Sequence, residues 1–268
     1  TIDSDKGEIL IDFAGSSGAS PHGINVVMNY THAYSTFAIR SSLNPDLPNN
    51  FGSLAPIKVS APKGCIVNAE YPSPVNARHV VGMYVPFPIL DALQDIVPDR
   101  VLAESSGAVW TIQIQGRDKT GASFTSSMFN YSGGMGARRS KPGPAATCYP
   151  TGVAAVPVEV LEASIPIQFT EKQLRLGSGG AGAQMGGDGQ SIGFKMRTGK
   201  PWLLNAIPSR LTEAARGFSG GAPGAIGNFI VGGAHVSEAR KIEVPADDVV
   251  VLETPGGGGF GVKAEAAE

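Results

Sequence analysis

Charge is scarce in this chain. Asp, Glu, Lys and Arg make up 16% of its 268 residues, against about a quarter in ordinary globular domains. A net charge of −2 and the lack of any basic tract exclude the electrostatic footprint of a nucleic-acid-binding protein. With 42% hydrophobic residues beside so little charge, other subunits are expected to cover part of the surface. Cysteine is scarcer still. Cys65 and Cys148 lie far apart with no Cys-x-x-Cys pair, which excludes a disulfide framework or a four-ligand zinc site from this chain alone. Reduced, semi-buried thiols in a cytoplasmic protein are the expected state. No apolar run reaches membrane-spanning length, and the opening Thr1-Ile2-Asp3-Ser4-Asp5-Lys6 has no signal-peptide core, so a soluble chain without a membrane partner is expected. No Gly-x-x-x-x-Gly-Lys-Ser/Thr occurs, so no Walker-type ATP site is expected here.

What the chain has in excess is glycine and proline, 36 and 20 residues, above the usual levels of about 7% and 5%. They form no repeat but punctuate short segments throughout, as in a loop-rich, strand-heavy fold. Glu8–Phe13 alternates as a strand around Ile9, Ile11 and Phe13. Residues 24–43 are expected to be helical from the spacing of Val27, Tyr30, Tyr34 and Phe37, and Asn44-Pro45 ends that helix. Residues 86–97 predict a second short helix, with Phe87, Leu90, Leu93 and Val97 on one face. From residue 108 the period becomes two: Trp110, Ile112 and Ile114 face one way, and residues 116–121 turn the chain into a second strand at 123–129. Further strands are expected at 157–162, 164–170, 191–197, 228–233, 240–244 and 248–252. Together these predict an α+β fold with mixed or antiparallel sheets and a few short helices. A single domain over 1–268 is expected, with a helical lobe at 1–105, a strand-rich part at 106–263 and a frayed tail at 264–268.

Residues 177–189 hold seven glycines in thirteen positions, directly after the strand-like Gln173-Leu174-Arg175-Leu176. Such a segment can turn sharply and bring bare backbone N–H groups close to a partner, but ordering it costs conformational entropy. A ligand, a subunit contact or close strand packing would have to justify that order. Gly177-x-Gly179-x-x-Gly182 and Gly256-x-Gly258-x-x-Gly261 match the dinucleotide fingerprint literally, yet that fingerprint requires a strand before it and a helix after it. Neither match has the helix, and glycine density explains both. Gly217-Phe218-Ser219-Gly220-Gly221 matches the nucleophile-elbow pattern, which needs a strand-to-helix turn. A helix-like run at 211–216 precedes it instead, and a loop serine is the reading.

The histidines His22, His32, His79 and His235 are scattered, with no His-x-x-x-His pair. His79 follows Arg78 just after the rigid Tyr71-Pro72-Ser73-Pro74-Val75 turn, and that pair is a candidate for a cleft. Glu159 and Glu162 sit in an apolar run, where carboxylates need partners such as Arg78, Arg138 or Arg139. A structural ion pair and a general base are the two readings there. Thr1 as an N-terminal nucleophile is set aside, because the turn-like Asp3-Ser4-Asp5-Lys6-Gly7 follows it.

The motifs taken in order resemble the hydantoinase B family, which includes the matching region of ATP-dependent 5-oxoprolinases and one subunit of the acetone and acetophenone carboxylases. The resemblance is carried by Ile11-Asp12-Phe13-Ala14-Gly15-Ser16-Ser17 with Gly23-Ile24-Asn25, by Leu47-Pro48-Asn49-Asn50-Phe51-Gly52, and by Ala61-Pro62-Lys63-Gly64-Cys65. It continues through Pro72-Ser73-Pro74-Val75-Asn76-Ala77-Arg78, Gly133-Gly134-Met135-Gly136, Pro157-Val158-Glu159-Val160-Leu161-Glu162, Ser178-Gly179-Gly180-Ala181-Gly182 and Thr254-Pro255-Gly256-Gly257-Gly258-Gly259-Phe260-Gly261. Coverage is 8–261. Family members are usually about twice this long, and the chain resembles their C-terminal half.

The resemblance implies an ATP-dependent cyclic-amide hydrolase working with two partners: a hydantoinase A-like subunit that binds ATP and Mg, and the upstream half of hydantoinase B, where a divalent metal would bind. Arg78, His79 and Glu159 are the candidate catalytic residues, chosen by motif position and polarity. Ser178, Gly179, Gly180, Gly182, Asp188 and Asn50 are the implied substrate- or anion-binding residues, and no metal ligand is assigned to this chain. Met185 stands where the family often has Arg, so an anion-binding role for that Arg does not carry over. A ketone carboxylase subunit and a non-catalytic bracing subunit are the alternatives.

Overall fold

The computed structural model describes residues 1–107, 109–237 and 241–263, and its contacts divide the chain into two compact units, Thr1–Val101 and Leu102–Glu268. The expected tail at 264–268 lies outside the described residues, as does the first position of the strand expected at 240–244.

The first unit is built on a small mixed sheet. β1 (Ile2–Asp3) pairs antiparallel with β2 (Glu8–Asp12), which pairs in parallel with β3 (Ile57–Ser60). Between β2 and β3 come α1 (Met28–Leu43) and the one-turn α2 (Phe51–Leu54); α3 (His79–Gly82) and α4 (Pro86–Leu93) follow. α1 is shorter than expected and turns a different face inward. It buries Thr31, Ser35, Ala38, Ile39 and Ser42, while Val27 and Phe37 stay exposed. Small side chains let neighbouring segments approach closely: Thr31 Oγ1 donates to Val67 O, and a Cβ on Gly82 of α3 would fall 2.2 Å from the Tyr30 ring. α4 starts with Pro86 at its first turn, where a missing N–H is harmless, and buries Phe87, Ile89, Leu90 and Leu93.

The second unit is a sandwich of two antiparallel sheets. One has the order β11 (Lys241–Val244), β8 (Trp202–Ile207), β4 (Val109–Arg117), β5 (Ser123–Ser132). The other runs β10 (Ala234–His235), β9 (Asn228–Val231), β12 (Val250–Glu253), β7 (Gly189–Met196), β6 (Ile167–Arg175). Their inner faces share one core, in which Trp110, Ile112, Ile114 and Leu204 meet Ile192, Phe194, Phe229 and Leu252. Phe194 and Trp202 reach across it with ring centroids 6.1 Å apart. The hairpin β4–β5 and the inward set Trp110, Ile112 and Ile114 are as the period of two predicts. The α+β class with mixed and antiparallel sheets holds across both units.

Two local expectations are corrected. Residues 157–162 are not a strand: α5 (Val158–Ser164) occupies them, opened by Pro157 and with Glu159 in its first turn. An alternating run this short cannot distinguish the two periods. The helix-like run at 211–216 forms bends without a helix.

Outside the sheets, many glycines of the second unit lie in extended segments packed backbone to backbone. Residues 254–261 form one segment of this glycine bundle. A Cβ on Gly256 would lie 1.8 Å from Ser178 O, on Gly257 2.2 Å from Met135 O, on Gly258 2.0 Å from Arg216 O and on Gly259 2.2 Å from Ala181 O. Successive residues therefore face three different segments, and the fourth returns to the first. A direction that repeats every three residues has the periodicity of a polyproline II helix, which makes no internal hydrogen bonds. Its amides bond sideways instead: Gly257 N to Gly187 O at 2.9 Å, Gly258 N to Glu104 O at 2.8 Å and Gly259 N to Ala222 O at 2.9 Å. Each of the four positions meets a neighbouring backbone, which is why glycine stands at all four.

Candidate functional site

In the first unit, two loops are laced together at the end of the mixed sheet. Asp12, closing β2, accepts from Ser60 Oγ at 2.8 Å and from its own Ala14 N at 3.1 Å. Beyond it, Ala19 N donates to Gly64 O, Ile66 N to Ser17 O and Val26 N to Ile66 O, all within 3.0 Å. Asn25 is fully buried: its Oδ1 accepts from Ser20 N at 2.7 Å, and its Nδ2 reaches the carbonyls of Ser20, His22 and Pro74 within 3.0 Å. A Cβ at Gly23 would lie 1.7 Å from Asn76 Oδ1, so a larger residue there would have to displace the Asn76 side chain. Ala77 N donates back to Gly23 O at 2.7 Å.

This lacing delivers Arg78 and His79 on a short, rigid turn. Arg78 is exposed, with Nη1 3.5 Å from Val75 O. His79 opens α3 and is half-buried; burial, and then the positive charge of Arg78, push its pKa below the usual 6.5. Both effects penalise the imidazolium, so near neutral pH His79 is a neutral imidazole beside a fixed cation. Such a pair can accept a proton and stabilise an adjacent anion. Asn50, also in this unit, caps α2: its Oδ1 accepts from Ser53 N at 3.1 Å while Ser53 Oγ accepts from Asn50 N. Its side chain is thus committed to a capping box.

Ser178, Gly179, Gly180, Gly182 and Asp188 lie together in the second unit. Asp188 Oδ1 accepts from Gly179 N at 2.8 Å and lies 3.4 Å from Ser178 Oγ, which in turn accepts from Gly189 N at 2.8 Å. Gly180 N donates to Gly257 O at 2.8 Å. A Cβ would fall 2.0 Å from Gly186 O at Gly179, 2.2 Å from Ala222 O at Gly180 and 2.8 Å from Phe260 O at Gly182. Of the three justifications for ordering this segment, close packing is the one on view, and the amides of Gly179 and Gly180 are used inside the fold. Met185 is exposed.

Glu159 is exposed on α5. Glu162 is the carboxylate bound into the structure, its Oε1 accepting from Phe169 N at 2.6 Å. Ser219 sits with φ +52° in a tight turn closed by Gly221 N donating to Phe218 O, so the elbow pattern is a turn here. Among the described residues, no group of three or more His, Cys, Asp or Glu side chains is arranged to hold a metal ion.

One cluster escaped the sequence reading. Glu104 is buried and accepts from Arg210 Nη2 at 3.1 Å, from Arg216 Nε at 3.0 Å and from the Arg216 backbone N–H at 3.0 Å. Its own carbonyl takes Gly258 N, which ties this ion cluster to the glycine bundle. Only the placing of a carboxylate directly after the apolar Val101-Leu102-Ala103 hinted at it.

The profile of the hydantoinase B/oxoprolinase family matches residues 1–263. An uncharacterized protein of Methanocaldococcus jannaschii is 33% identical over 270 residues, covering 97% of this chain and 46% of its own length. The 5-oxoprolinase 1 of Arabidopsis thaliana is 29% identical over 272 residues, covering 97% of this chain and 20% of its own length. Among solved structures, the ATP-dependent caprolactamase from Pseudomonas jessenii has the same fold, with a TM-score of 0.83 at 20% identity over 96% of this chain and 47% of that one. The chain spans about half, or less, of the length of these relatives.

Proposed function

Because the chain belongs to the hydantoinase B/oxoprolinase family, we propose that it is one part of an ATP-dependent cyclic-amide hydrolase of the hydantoinase/5-oxoprolinase type, acting in the cytoplasm. The observation that carries the reading is the family match over 1–263, joined by 29% identity to a 5-oxoprolinase along nearly the whole chain. Neither a Walker-type nor a glycine-loop phosphate cradle is seen among the described residues of this chain. It has no phosphate-binding Lys motif, and the glycine loop that would cradle phosphates has the amides of Gly179 and Gly180 bonded internally. ATP and Mg therefore belong to a hydantoinase A-like partner, and a divalent metal to the upstream half of hydantoinase B. Phosphorylation of the amide oxygen by that partner supplies an imidate-like electrophile, which a resonance-stabilised lactam is not.

Within this chain, His79 takes a proton from the attacking water and Arg78 stabilises the developing anion. Glu159, in the second unit, is an exposed carboxylate and a separate catalytic candidate. Ser178, Gly179, Gly180, Gly182 and Asp188 hold the substrate side of the second unit in shape, and Asn50 does the same for the loop at α2.

The test uses the assembled complex with ATP and 5-oxoproline or hydantoin. Ring opening coupled to ATP hydrolysis without bicarbonate is expected, and His79→Ala or Arg78→Ala should lower kcat by about 100-fold. Strict dependence on bicarbonate and a ketone would replace this reading with a carboxylase. Unchanged turnover by both variants would leave the chain a bracing role.

A further inference from the structure

In the first unit, α1 and the loop that follows it line a pocket of about 270 Å³. Its walls are apolar at Ala33, Phe37, Pro45 and Leu54, and they carry the polar groups of Arg40 and Asn49. Arg40 stands in the last turn of α1, where a cation complements the helix dipole, and its Nη2 donates to Leu47 O. That bond uses one of the five guanidinium donors. Nε is buried with no acceptor, and no carboxylate pairs with Arg40 among the described residues. Asp46, the acidic residue of the same loop, is exposed and does not line the pocket. Thr36 and Ser41, also in the wall, donate their hydroxyl protons to helix carbonyls. A buried guanidinium nitrogen without an acceptor calls for an anion that the fold itself does not supply.

We propose that this pocket binds the carboxylate of a small organic acid, with the Arg40 guanidinium as counter-charge and the Asn49 amide as a second donor. The planar guanidinium fork matches a carboxylate in shape and charge. No acidic side chain lines the pocket to repel that ligand or take its place. The volume lies below the roughly 300–1,000 Å³ of pockets for drug-sized ligands, so the acid is small, and the apolar walls receive its hydrocarbon end. The loop is held in shape without a ligand. Asn50 and Ser53 cap α2 reciprocally, and Ser53 Oγ donates to Pro48 O at 2.8 Å. Asn50 is committed to that cap, while the Asn49 side chain has no partner among the described residues. The anion-binding role expected of Asn50 therefore passes to its neighbour.

The protein, expressed in its source with the chains that accompany it, is titrated by calorimetry with propionate, propionamide and inorganic phosphate. Saturable binding of propionate is expected, with the uncharged propionamide of the same size at least about tenfold weaker. Arg40→Gln should weaken propionate by at least about tenfold. Because Arg40 also holds Leu47 O, a second variant leaves the guanidinium in place: Ala33→Phe fills the pocket from an exposed position of α1. It should abolish binding with an unchanged circular dichroism spectrum. Arg117→Gln, which removes an exposed cation of the second unit, should bind propionate like the wild type. Equal affinity for propionate and propionamide would reduce the pocket to an apolar slot and overturn the proposal. It also falls if propionate binding survives both Arg40→Gln and Ala33→Phe, if phosphate displaces propionate with higher affinity, or if propionate shows no saturable binding.

Discussion

The residues with the largest consequences are ionisable groups held away from water. Glu104 faces two guanidinium groups of unlike exposure: Arg210 at 8% and Arg216 at 59%. Glu104→Ala removes a buried carboxylate that accepts from the buried Arg210 guanidinium, a loss of about 3–5 kcal/mol. Arg216→Ala removes a solvent-screened partner and should cost about 1 kcal/mol or less. Urea denaturation of both variants measures this, and equal midpoints would contradict it. His79 acts through pH. Its folded pKa lies below 6.5, so between the two values the unfolded chain binds the proton and the folded chain does not. Stability should therefore fall as pH is lowered from 6.5 toward the folded pKa, and His79→Gln should lose less over the same interval. Denaturation midpoints at several pH values decide the point; parallel curves for the two proteins would refute it.

At the level of elements, the glycine bundle follows a different logic from the sandwich. The sandwich strands bury side chains, whereas the extended segments bury backbone against backbone. Gly258→Ala would drive a methyl group to 2.0 Å from Arg216 O, a clash with main chain that should cost about 3 kcal/mol. Gly199→Ala is the informative contrast. Its φ is +66° with nothing within 4 Å, so only the left-handed conformation is penalised, by about 1–2 kcal/mol. Thermal melts of the pair should show Gly258→Ala the more damaging, and the reverse order would overturn the bundle as a packing device. The bundle also accounts for sequence motifs that look like nucleotide fingerprints. Dense glycine can serve a phosphate or a neighbouring backbone, and the internal bonds of Gly179 and Gly180 here serve the backbone.

At the level of the whole molecule, the chain is two compact units and spans half or less of the length of the relatives it matches. Much was legible in the sequence by itself. The alternation of Trp110, Ile112 and Ile114 marked β4, and the Phe87, Leu90 and Leu93 spacing marked α4, because a strand and a helix repeat at different periods. The ordered motifs from Asp12 to Gly261 carried the family. Only the tertiary structure decided the rest. It made residues 158–164 a helix, and it turned small residues of α1 inward in place of Val27 and Phe37. It joined Glu104 to Arg210 and Arg216 across more than a hundred positions, and it assigned the glycine amides to one another. Period is a local property that neighbouring residues write into the chain, whereas the partner of a charge or of a bare amide is chosen by contacts between distant segments.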